Sequence, residues 1–483
     1  MGEIKMYDIA IIGAGVVGAA IARELSRYEL KIALIEKAED VATGASKANS
    51  GIVHGGYSAK YGTLKGKLCH QGNGMYDQLN KELNFGFRRP GALIIAFSEE
   101  DRETLQGLYD NGMKVGNTEL ELIERDAIIK LEPHINPEVL AALHCKTVGV
   151  VSPYEFTIAL AENAIQNGVD LFLENEVLDI IQESVFTVRT NKMDIQAKYV
   201  INAAGVYGDR IAQMLGVDHF KILPRRGQYV LMGKDQQDLV HSVIFQVPTK
   251  KGKGILVTTT YHGNFMIGPD AEDIQDKEDK DTSIEVLRDI VKTARLSIPD
   301  FEIKKAITTF SGVRAMVEGG DFIIEESAVK GFINVAGIDS PGLTSSPAIA
   351  LMVVDLLKSS GCVLTPDLKF NPYRKPLIQL KTDTFDGSID NEKAEKNIIC
   401  RCEKVTEAEI IEAMRRGIPV HTTDAVKRRV RAGMGFCQGN FCRERVKKVI
   451  ARELGIEADQ VEVRGQGEIP KRVAISEIRK LEV

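Results

Sequence analysis

The sequence contains no tryptophan and no long apolar run. Its longest apolar run, residues 9–22, has 14 residues and includes three glycines. This is shorter than the roughly 18 to 20 residues that cross a bilayer, so we expect no transmembrane span. Residues 1–8 carry charges and lead directly into a strand pattern, unlike a secretory signal peptide. These absences favour a cytoplasmic location, with any membrane association arising through partners.

Internal repeats and low-complexity tracts are also absent. With 44% hydrophobic residues among 483, the chain can bury large cores, which excludes a disordered or collagen-like protein. At about 150 residues per domain, the length predicts about two to four domains. Glycine is plentiful, with 43 residues, and this indicates several tight turns where the backbone approaches a ligand.

Cysteine is scarce, but four of the seven cysteines lie within 43 residues, at Cys400, Cys402, Cys437 and Cys442. In a reducing cytoplasm this clustering indicates a metal site rather than disulfides. Residues 401–450 carry 12 Lys or Arg against 6 Asp or Glu, although the whole chain has a net charge of −6. This asymmetry predicts a separate C-terminal domain with a basic docking surface. Its mixed charges do not favour nucleic-acid binding, and we expect no nucleic-acid partner.

The first 36 residues predict a strand, a turn, a helix and a second strand. Residues 7–12 and 31–35 are apolar runs typical of buried parallel strands, and residues 16–27 have helical spacing. The turn has the pattern GxGxxG, which lets a pyrophosphate approach the backbone at a helix N-terminus, and a glutamate ends the second strand where it can bind a ribose diol. The alternative is a purely structural glycine-rich turn. The predicted dinucleotide-binding residues are Gly13, Ala14, Gly15, Val16, Gly18, Glu36 and Lys37.

Two later regions, residues 87–98 and 224–269, are rich in Val, Ile, Thr and Tyr and are broken by Gly and Asn turns. This pattern is typical of antiparallel strands. Between them, residues 156–167 have the pattern of a helix and residues 170–180 the pattern of strands that return the chain to the first domain. The antiparallel sheet is therefore predicted to be an insertion.

Two further segments resemble FAD-dependent oxidoreductases of the D-amino-acid oxidase superfamily. Residues 199–205, Tyr-Val-Ile-Asn-Ala-Ala-Gly, form an apolar strand that ends in small residues. Residues 337–350 resemble the stretch whose helix N-terminus points at the flavin, where backbone amides would stabilise negative charge on the reduced ring; an ordinary helix cap is the alternative. The resemblance implies FAD, and we expect it to be noncovalent because no Cys or His has the context of a covalent attachment. The FAD-binding residues it implies are Ser46, Asn49, Ser50, Val177, Ala204, Gly205, Asp209, Gly337, Gly342, Leu343 and Thr344.

Residues 49–57, Asn-Ser-Gly-Ile-Val-His-Gly-Gly-Tyr, and residues 64–69 resemble glycerol-3-phosphate oxidases and dehydrogenases and L-2-hydroxyglutarate oxidases. In that family Ser50 and His54 would lie near the flavin ring. Oxidation of a secondary alcohol needs a base for the hydroxyl proton, and a histidine suits that task. His54 is the predicted base; the alternative is that it only binds backbone in a glycine-rich loop.

Arg314 resembles the family position whose guanidinium meets the anionic group of the substrate, and its two-pronged geometry fits phosphate and carboxylate equally well. A glycine-interrupted loop contains Lys250, Lys251 and Lys253, of which we favour Lys253 as a second cation; a solvated loop is the alternative. The related membrane dehydrogenases have a further arginine before an Asp-aromatic pair, where this chain has Gly320. That departure weakens the assignment of a phosphate.

The clustered cysteines have the spacing Cys-x-Cys, 34 residues, then Cys-x4-Cys. The surrounding sequence resembles bacterioferritin-associated-ferredoxin domains, small helical units that hold a 2Fe-2S cluster. Residues 406–416 and 421–431 are predicted helices of this unit. The resemblance implies Cys400, Cys402, Cys437 and Cys442 as ligands, with structural zinc as the alternative metal.

The predicted fold class is α/β, with a Rossmann-type FAD-binding domain, an inserted antiparallel-sheet substrate domain and a small helical C-terminal domain that holds the four-cysteine cluster site. The predicted boundaries are residues 1–86, 146–222 and 310–362 for FAD binding, 87–145 and 223–309 for the substrate domain, 363–396 for a linker, 397–452 for the cluster domain and 453–483 for a C-terminal extension.

The resemblance implies an FAD-dependent dehydrogenase that oxidises sn-glycerol 3-phosphate to dihydroxyacetone phosphate, with Ser50, His54, Lys253 and Arg314 as its catalytic set. The architecture is similar to the catalytic subunit of anaerobic glycerol-3-phosphate dehydrogenases. Electrons would pass through the 2Fe-2S cluster to a redox partner, such as a second flavoprotein subunit, and the chain could form an oligomer. One alternative is L-2-hydroxyglutarate or another 2-hydroxy acid as the substrate. The other is an electron-transfer or scaffold subunit with a vestigial flavin site.

Overall fold

The computed structural model describes residues 5–248, 254–377, 392–465 and 469–481. Within these ranges the α-helices are α1 Val16–Leu25, α2 Leu64–Leu83, α3 Glu99–Val115, α4 Arg125–Leu131, α5 Pro153–Gln166, α6 Gly208–Gln213, α7 Ile284–Ser297, α8 Gly342–Ser359, α9 Glu407–Met414, α10 Thr423–Val430, α11 Arg443–Leu454 and α12 Ile475–Ile478. In this part of the chain, no helix combines the length and the apolar character needed to span a membrane.

The strands are β1 Met6–Ile12, β2 Ile32–Ile35, β3 Ile52–Val53, β4 Phe87–Arg88, β5 Ala92–Ala96, β6 Leu120–Glu124, β7 Ala141–Cys145, β8 Gly149–Val151, β9 Asp170–Phe172, β10 Val177–Gln182, β11 Phe186–Thr190, β12 Asp194–Asn202, β13 Ile222–Met232, β14 Val243–Gln246, β15 Leu256–Thr259, β16 Phe265–Gly268, β17 Glu272–Asp273, β18 Ala306–Val317, β19 Ile323–Glu326, β20 Phe332–Ala336, β21 Ile398–Cys400 and β22 Val405–Thr406.

An eight-stranded sheet with a parallel centre carries the nucleotide-binding motif. β1 lies between β2 and β12, β9 follows β2, and β20 joins β12; β10, β11 and β19 add antiparallel edges. Ile9 and Ile11 belong to one buried core and Ala10 and Ile12 to another. Both faces of β1 are therefore covered, which explains why its sequence is a continuous apolar run.

The second large sheet has nine strands, and all of its pairs are antiparallel except β14 with β5. β13 and β18 pair along almost their whole length, from Ile222 opposite Val317 to Met232 opposite Ala306. β18 therefore runs unbroken through residues 309 and 310, where the sequence predicted a domain boundary. Helix α7 covers this sheet with fully buried residues such as Val291. The α/β fold class with an inserted, mainly antiparallel sheet is confirmed.

The C-terminal unit consists of the short hairpin β21–β22 and helices α9, α10 and α11 around a small core that includes Ile410, Val426 and Ile450. α9 and α10 fall within the two helices predicted from the sequence. The final segment leaves this unit and returns to the second sheet, where Ile478 and Leu481 enter its core.

The described part of the predicted linker lies along the nucleotide-binding domain. The amide of Asp367 donates to the carbonyl oxygen of Arg27 at 2.8 Å. Arg374 donates from Nε to Glu162 at 2.6 Å, and both side chains are buried. These contacts fasten residues 363–377 to the nucleotide-binding domain as a strap.

A buried ion cluster joins the C-terminal unit to the nucleotide-binding domain. Asp40 accepts from Arg428 at 2.6 Å and from two nitrogens of Arg429 at 2.7 Å, and all three side chains are at most 3% exposed. Burial alone would raise the pKa of Asp40, but the charges of Arg429 and Arg428 hold it below its ordinary value. The two domains are therefore joined by a fully desolvated charge contact.

Replacement of Asp40 by alanine should destabilise the protein by about 3 to 5 kcal/mol, because two buried guanidinium groups would lose their counter-charge. Denaturant unfolding followed by circular dichroism measures this loss. The lowered pKa means that the contribution of Asp40 is present above about pH 4, its unfolded value, and is lost as the pH falls through the folded value. Lys146→Ala breaks an exposed ion pair with Glu121 and should cost at most about 1 kcal/mol. An equal effect of both changes would contradict the role given to Asp40.

Candidate active site

The GxGxxG turn joins β1 to α1 at one end of a large cavity. Gly13 has φ +103°, a backbone conformation that favours glycine. A Cβ on Gly18 would collide with the carbonyl oxygen of Gly13, so α1 packs this closely only with glycine at position 18. Gly15 and Val16, at the N-terminus of α1, line the cavity. The backbone thus has the form that a pyrophosphate requires.

Glu36 directly follows β2 beside this turn and lines the same cavity. Its carboxylate accepts from the amides of Ala14 at 2.8 Å and Ala38 at 3.0 Å. Burial nevertheless raises the pKa of Glu36 above its ordinary value. Further hydrogen bonds from a ribose diol would stabilise the charged form, so the position fits the nucleotide half of FAD.

The cavity has a volume of about 2070 Å³ and is lined by both large sheets and by the C-terminal unit. Most of the predicted site residues line it. They are Gly13, Gly15, Val16, Glu36, Lys37, Ser46, Asn49, Ser50, His54, Val177, Ala204, Gly205, Arg314, Gly342 and Leu343. Lys253, like Lys250 and Lys251, lies outside the described residues.

Five predicted FAD-binding residues do not line the cavity: Ala14, Gly18, Asp209, Gly337 and Thr344. The amide of Ala14 donates to Glu36, and Gly18 packs closely against the carbonyl oxygen of Gly13. Gly337, at φ +67°, takes a glycine-favouring bend between β20 and α8. For these residues direct contact with the cofactor stays a prediction.

Asp209 has protein partners of its own. Its carboxylate accepts from Lys277 Nζ at 2.5 Å and from the amide of Ile222 at 3.0 Å, and the residue is buried. Asp209 therefore fixes the start of β13 and the loop that contains Lys277. The sequence around Asp209 did not predict these partners, because they lie 13 and 68 positions away along the chain.

The predicted catalytic loop lies between α8 and the second sheet. Thr344, at the start of α8, accepts from the amide of His54 at 2.8 Å. The ring of His54 lies 5.8 Å from that of Phe245, and Ser50 Oγ lies 3.2 Å from Tyr229 Oη. Burial raises the pKa of Tyr229, so its hydroxyl remains protonated at neutral pH. The structure thus brings Ser50 and His54 to one region of the cavity wall.

Arg314 lies on β18 and lines the cavity. Its Nη2 donates to the carbonyl oxygen of Asp270 at 3.1 Å. Among the described residues, Arg314 forms no ion pair. The charge of Arg314 also acts on the nearby carboxylate of Asp270, where it opposes the rise in pKa that burial causes, but the two side chains form no ion pair. The guanidinium can therefore still donate to an anionic ligand.

Two residues that the sequence analysis did not single out also contribute to this wall. Tyr229 stacks on Phe310 with ring centroids 4.6 Å apart, next to Ser50. Lys65 forms a close ion pair with Asp339 and lines the cavity. Lys65 lies in the segment 64–69 that carried the family resemblance, so that segment was the available signal for it.

The four clustered cysteines form two pairs. Cys402 Sγ lies 3.8 Å from Cys437 Sγ, at the surface. Cys400 and Cys442 are buried, and a hydrogen bond from Cys442 lowers the pKa of Cys400 to about 6. A Cβ on Gly435 would collide with Cys402, so this glycine lets the two parts of the site meet.

Two pairs of thiols fit a 2Fe-2S cluster, in which each iron is held by two cysteines. Structural zinc instead needs four ligands around a single ion. Among the described residues, no group of three or more His, Cys, Asp or Glu side chains is arranged to hold one metal ion. The four thiols fit the donor set of a 2Fe-2S cluster.

Arg431 connects the cluster unit to the cavity. It donates to Glu403 at 3.0 Å, to Tyr154 Oη at 3.0 Å and to Asn264 at 3.3 Å, contacting all three domains. Glu403 directly follows Cys402 in the sequence. Met434, from the glycine-rich turn before Cys437, also lines the cavity. The cysteine turn and the flavin-domain cavity are thus in direct contact.

Two protein families match the chain in the regions built above. The FAD dependent oxidoreductase family matches residues 8–356, which is more than half of the chain. The chain belongs to this family. The BFD-like [2Fe-2S] binding domain family matches residues 398–452. The protein is therefore an FAD-dependent oxidoreductase that also carries a 2Fe-2S domain, as the sequence predicted.

Relatives cover both parts of the chain. A Caloramator mitchellensis protein named glycerol 3-phosphate dehydrogenase is 50% identical over 467 residues, 96% of this chain and 97% of that protein. Human mitochondrial L-2-hydroxyglutarate dehydrogenase is 31% identical over 55% of this chain and 61% of its own length. The structure of dithionite-reduced L-alpha-glycerophosphate oxidase from Mycoplasma pneumoniae, with FAD bound, is 33% identical. It has a TM-score of 0.74 over 77% of this chain and 99% of that chain.

Proposed function

We propose that this oxidoreductase is a dehydrogenase that oxidises sn-glycerol 3-phosphate to dihydroxyacetone phosphate. The observation that carries the proposal is Arg314, a cation on the cavity wall without an ion-pair partner among the described residues. The 50% identity to the Caloramator mitchellensis protein, over almost the whole of both chains, supports the same substrate.

Arg314 binds the phosphate of the substrate in this proposal, since a guanidinium can donate two parallel hydrogen bonds to it. Lys253 is the second predicted cation; it lies outside the described residues and precedes β15 in the sequence. Ser50 and Tyr229 supply hydroxyl groups on the same wall. Bound FAD supplies the acceptor for the hydride that leaves the carbinol carbon.

His54 is the proposed base that takes the hydroxyl proton. The unperturbed pKa of an imidazole lies near neutral pH, so a neutral imidazole can take up this proton. The hydrogen bond from the His54 amide to Thr344 fixes the backbone of the loop at the N-terminus of α8. Thr344 is therefore a positioning residue for His54.

L-2-Hydroxyglutarate is the second candidate substrate. Human mitochondrial L-2-hydroxyglutarate dehydrogenase is 31% identical to this chain over 283 residues. Arg314 would pair with a carboxylate as readily as with a phosphate. Only a direct comparison of the two substrates separates these proposals.

Anaerobic titration of the purified protein makes this comparison. Glycerol 3-phosphate should bleach the flavin band near ~450 nm, and L-2-hydroxyglutarate should not. Bleaching by the hydroxy acid alone would overturn the proposed substrate, and the absence of a flavin band would support the scaffold alternative.

Arg314→Gln should raise the KM for glycerol 3-phosphate about 10- to 100-fold with little change in kcat. Arg189→Gln, at an exposed position on β11, is the control and should leave KM unchanged.

His54→Asn should lower kcat by about 100- to 10,000-fold while the flavin content and the KM remain close to those of the wild type. The physical reason is the loss of a group that holds the hydroxyl proton. Steady-state kinetics with an artificial acceptor measures the effect. His421→Asn, at an exposed position in the C-terminal unit, is the matched control. A loss of kcat smaller than about tenfold would leave His54 with only its backbone role.

We infer that electrons leave through the surface pair Cys402 and Cys437. A bound 2Fe-2S cluster supplies one-electron transfer to a partner. Phe436 and Phe441, on the same turn, are 68% and 83% exposed, and the exposed Arg443 follows it. Exposed aromatic rings beside cationic side chains suit an acidic redox protein as the partner. The clustered thiols are typical of a reducing cytoplasm.

Cys402→Ala should remove the cluster but leave the reduction of the flavin by substrate within about twofold of the wild-type rate, because Cys402 does not line the cavity and the substrate reduces the flavin before the cluster takes part. Delivery of electrons to an acidic ferredoxin should fall at least about tenfold. Iron and sulfide analysis, stopped-flow absorbance and ferredoxin reduction measure the three quantities. Cys362→Ala, outside the cluster domain, is the control. Unchanged ferredoxin reduction without the cluster would refute this route.

A further inference from the structure

One wall of the cavity carries more positive charge than the proposed dehydrogenase reaction uses. Its cations come from three separate parts of the chain: Lys47 after the predicted FAD-binding loop, Lys427 on α10, and Arg464 and Arg472 in the C-terminal extension. The sequence analysis singled out none of them, because their positions share no motif. They meet only in the folded protein.

Backbone hydrogen bonds hold Arg464 at this wall. The amides of Thr423 and Asp424, at the start of α10, donate to the carbonyl oxygens of Glu462 and Val463 at 3.1 and 3.0 Å. The next residue, Gly465, donates its amide to Glu39 at 3.2 Å. Arg464 is therefore fixed between α10 and the nucleotide-binding domain.

Arg472 is anchored from the other side of the cavity. Lys471 donates its amide to Asp281 at 2.7 Å and accepts from the amide of Thr282 at 3.0 Å. Val473 donates its amide to Thr282 Oγ1 at 2.9 Å. These hydrogen bonds fix residues 471–473 against the loop before α7, and Arg472 lines the cavity.

The carboxylates nearby do not balance these cations. Asp424 accepts from Arg428 at 2.5 Å and lies 3.8 Å from Lys47 Nζ. Arg428 also forms an ion pair with Asp40. Within the described ranges, no carboxylate forms an ion pair with Lys427, Arg464 or Arg472.

The pKa values of the two lysines reflect this excess of positive charge. Burial, with a contribution from Arg428, lowers the pKa of Lys47 to about 8. Burial also lowers the pKa of Lys427 to about 8, and Arg472 and Arg464 lower it further while Asp424 opposes them. A bound anion would stabilise the charged form of each lysine.

We propose that Lys47, Lys427, Arg464 and Arg472 form a binding site for a phosphate or pyrophosphate group. The cavity of about 2070 Å³ exceeds the roughly 300 to 1,000 Å³ of an ordinary ligand pocket. The group could belong to FAD itself or to a second phosphate-bearing ligand. In either case the cluster domain and the extension complete a binding site of the flavin domain, which goes beyond the proposed dehydrogenase function.

The test uses the FAD-loaded protein and inorganic pyrophosphate. Isothermal titration calorimetry at low ionic strength should show saturable binding that Arg464→Gln and Lys427→Gln each weaken at least about tenfold. Lys427→Arg keeps the charge and should retain binding, which separates charge from packing. Lys448→Gln, at an exposed position on α11, is the matched control and should bind like the wild type. Arg314→Gln should also bind normally, because its guanidinium belongs to the proposed substrate site.

A second arm distinguishes the two sources of phosphate. If the FAD-loaded protein does not bind pyrophosphate, release of FAD on dilution, followed by flavin fluorescence, should be at least about tenfold greater in Arg464→Gln than in the wild type. That result would assign the site to the pyrophosphate of FAD. Loss of pyrophosphate binding in Arg314→Gln alone would place it at the substrate site and overturn the proposal. Pyrophosphate binding and FAD release that both stay within about twofold of the wild type would also overturn it.

Discussion

Asp40 is the residue on which the arrangement of the domains depends. It follows β2 by only a few positions, and its carboxylate is enclosed by Arg428 and Arg429 at 2.6 to 2.7 Å. A charge removed from water is tolerated only when it is paired and hydrogen-bonded. The ion cluster therefore fixes α10 against the nucleotide-binding domain, and through α10 it fixes the cysteine turn and the start of the C-terminal extension.

This docking gives the cysteine turn two faces. Met434 lines the cavity, and Phe436 and Phe441 are exposed to solvent. Cys402 and Cys437 lie near the surface, whereas Cys400 and Cys442 are buried. One short segment thus contacts the flavin-domain cavity on one side and exposes two aromatic rings to solvent on the other, which agrees with the proposed route of electrons.

Local patterns predicted much of the candidate site because the corresponding interactions are local. The glycine turn requires a positive φ at Gly13 and close packing of α1 at Gly18, and both needs are visible as glycines in the sequence. The position of Glu36 was predicted because it comes directly after the apolar run of β2. The partners of Asp209, Lys277 and Ile222, were not predicted because they approach it only in the folded chain. Thr344, at the start of α8, does not line the cavity; its hydroxyl accepts a hydrogen bond from the amide of His54.

The sequence alone determined the family, the βαβ unit, the spacing of the four clustered cysteines and most of the predicted residues that line the cavity, because short-range geometry and specific spacing encode each of them. Tertiary structure decided how the domains meet. β18 joins the substrate sheet along its whole length through pairing with β13, which no local pattern specifies. The basic wall likewise depends on residues more than 400 positions apart, such as Lys47 and Arg472, whose proximity arises only from long-range packing.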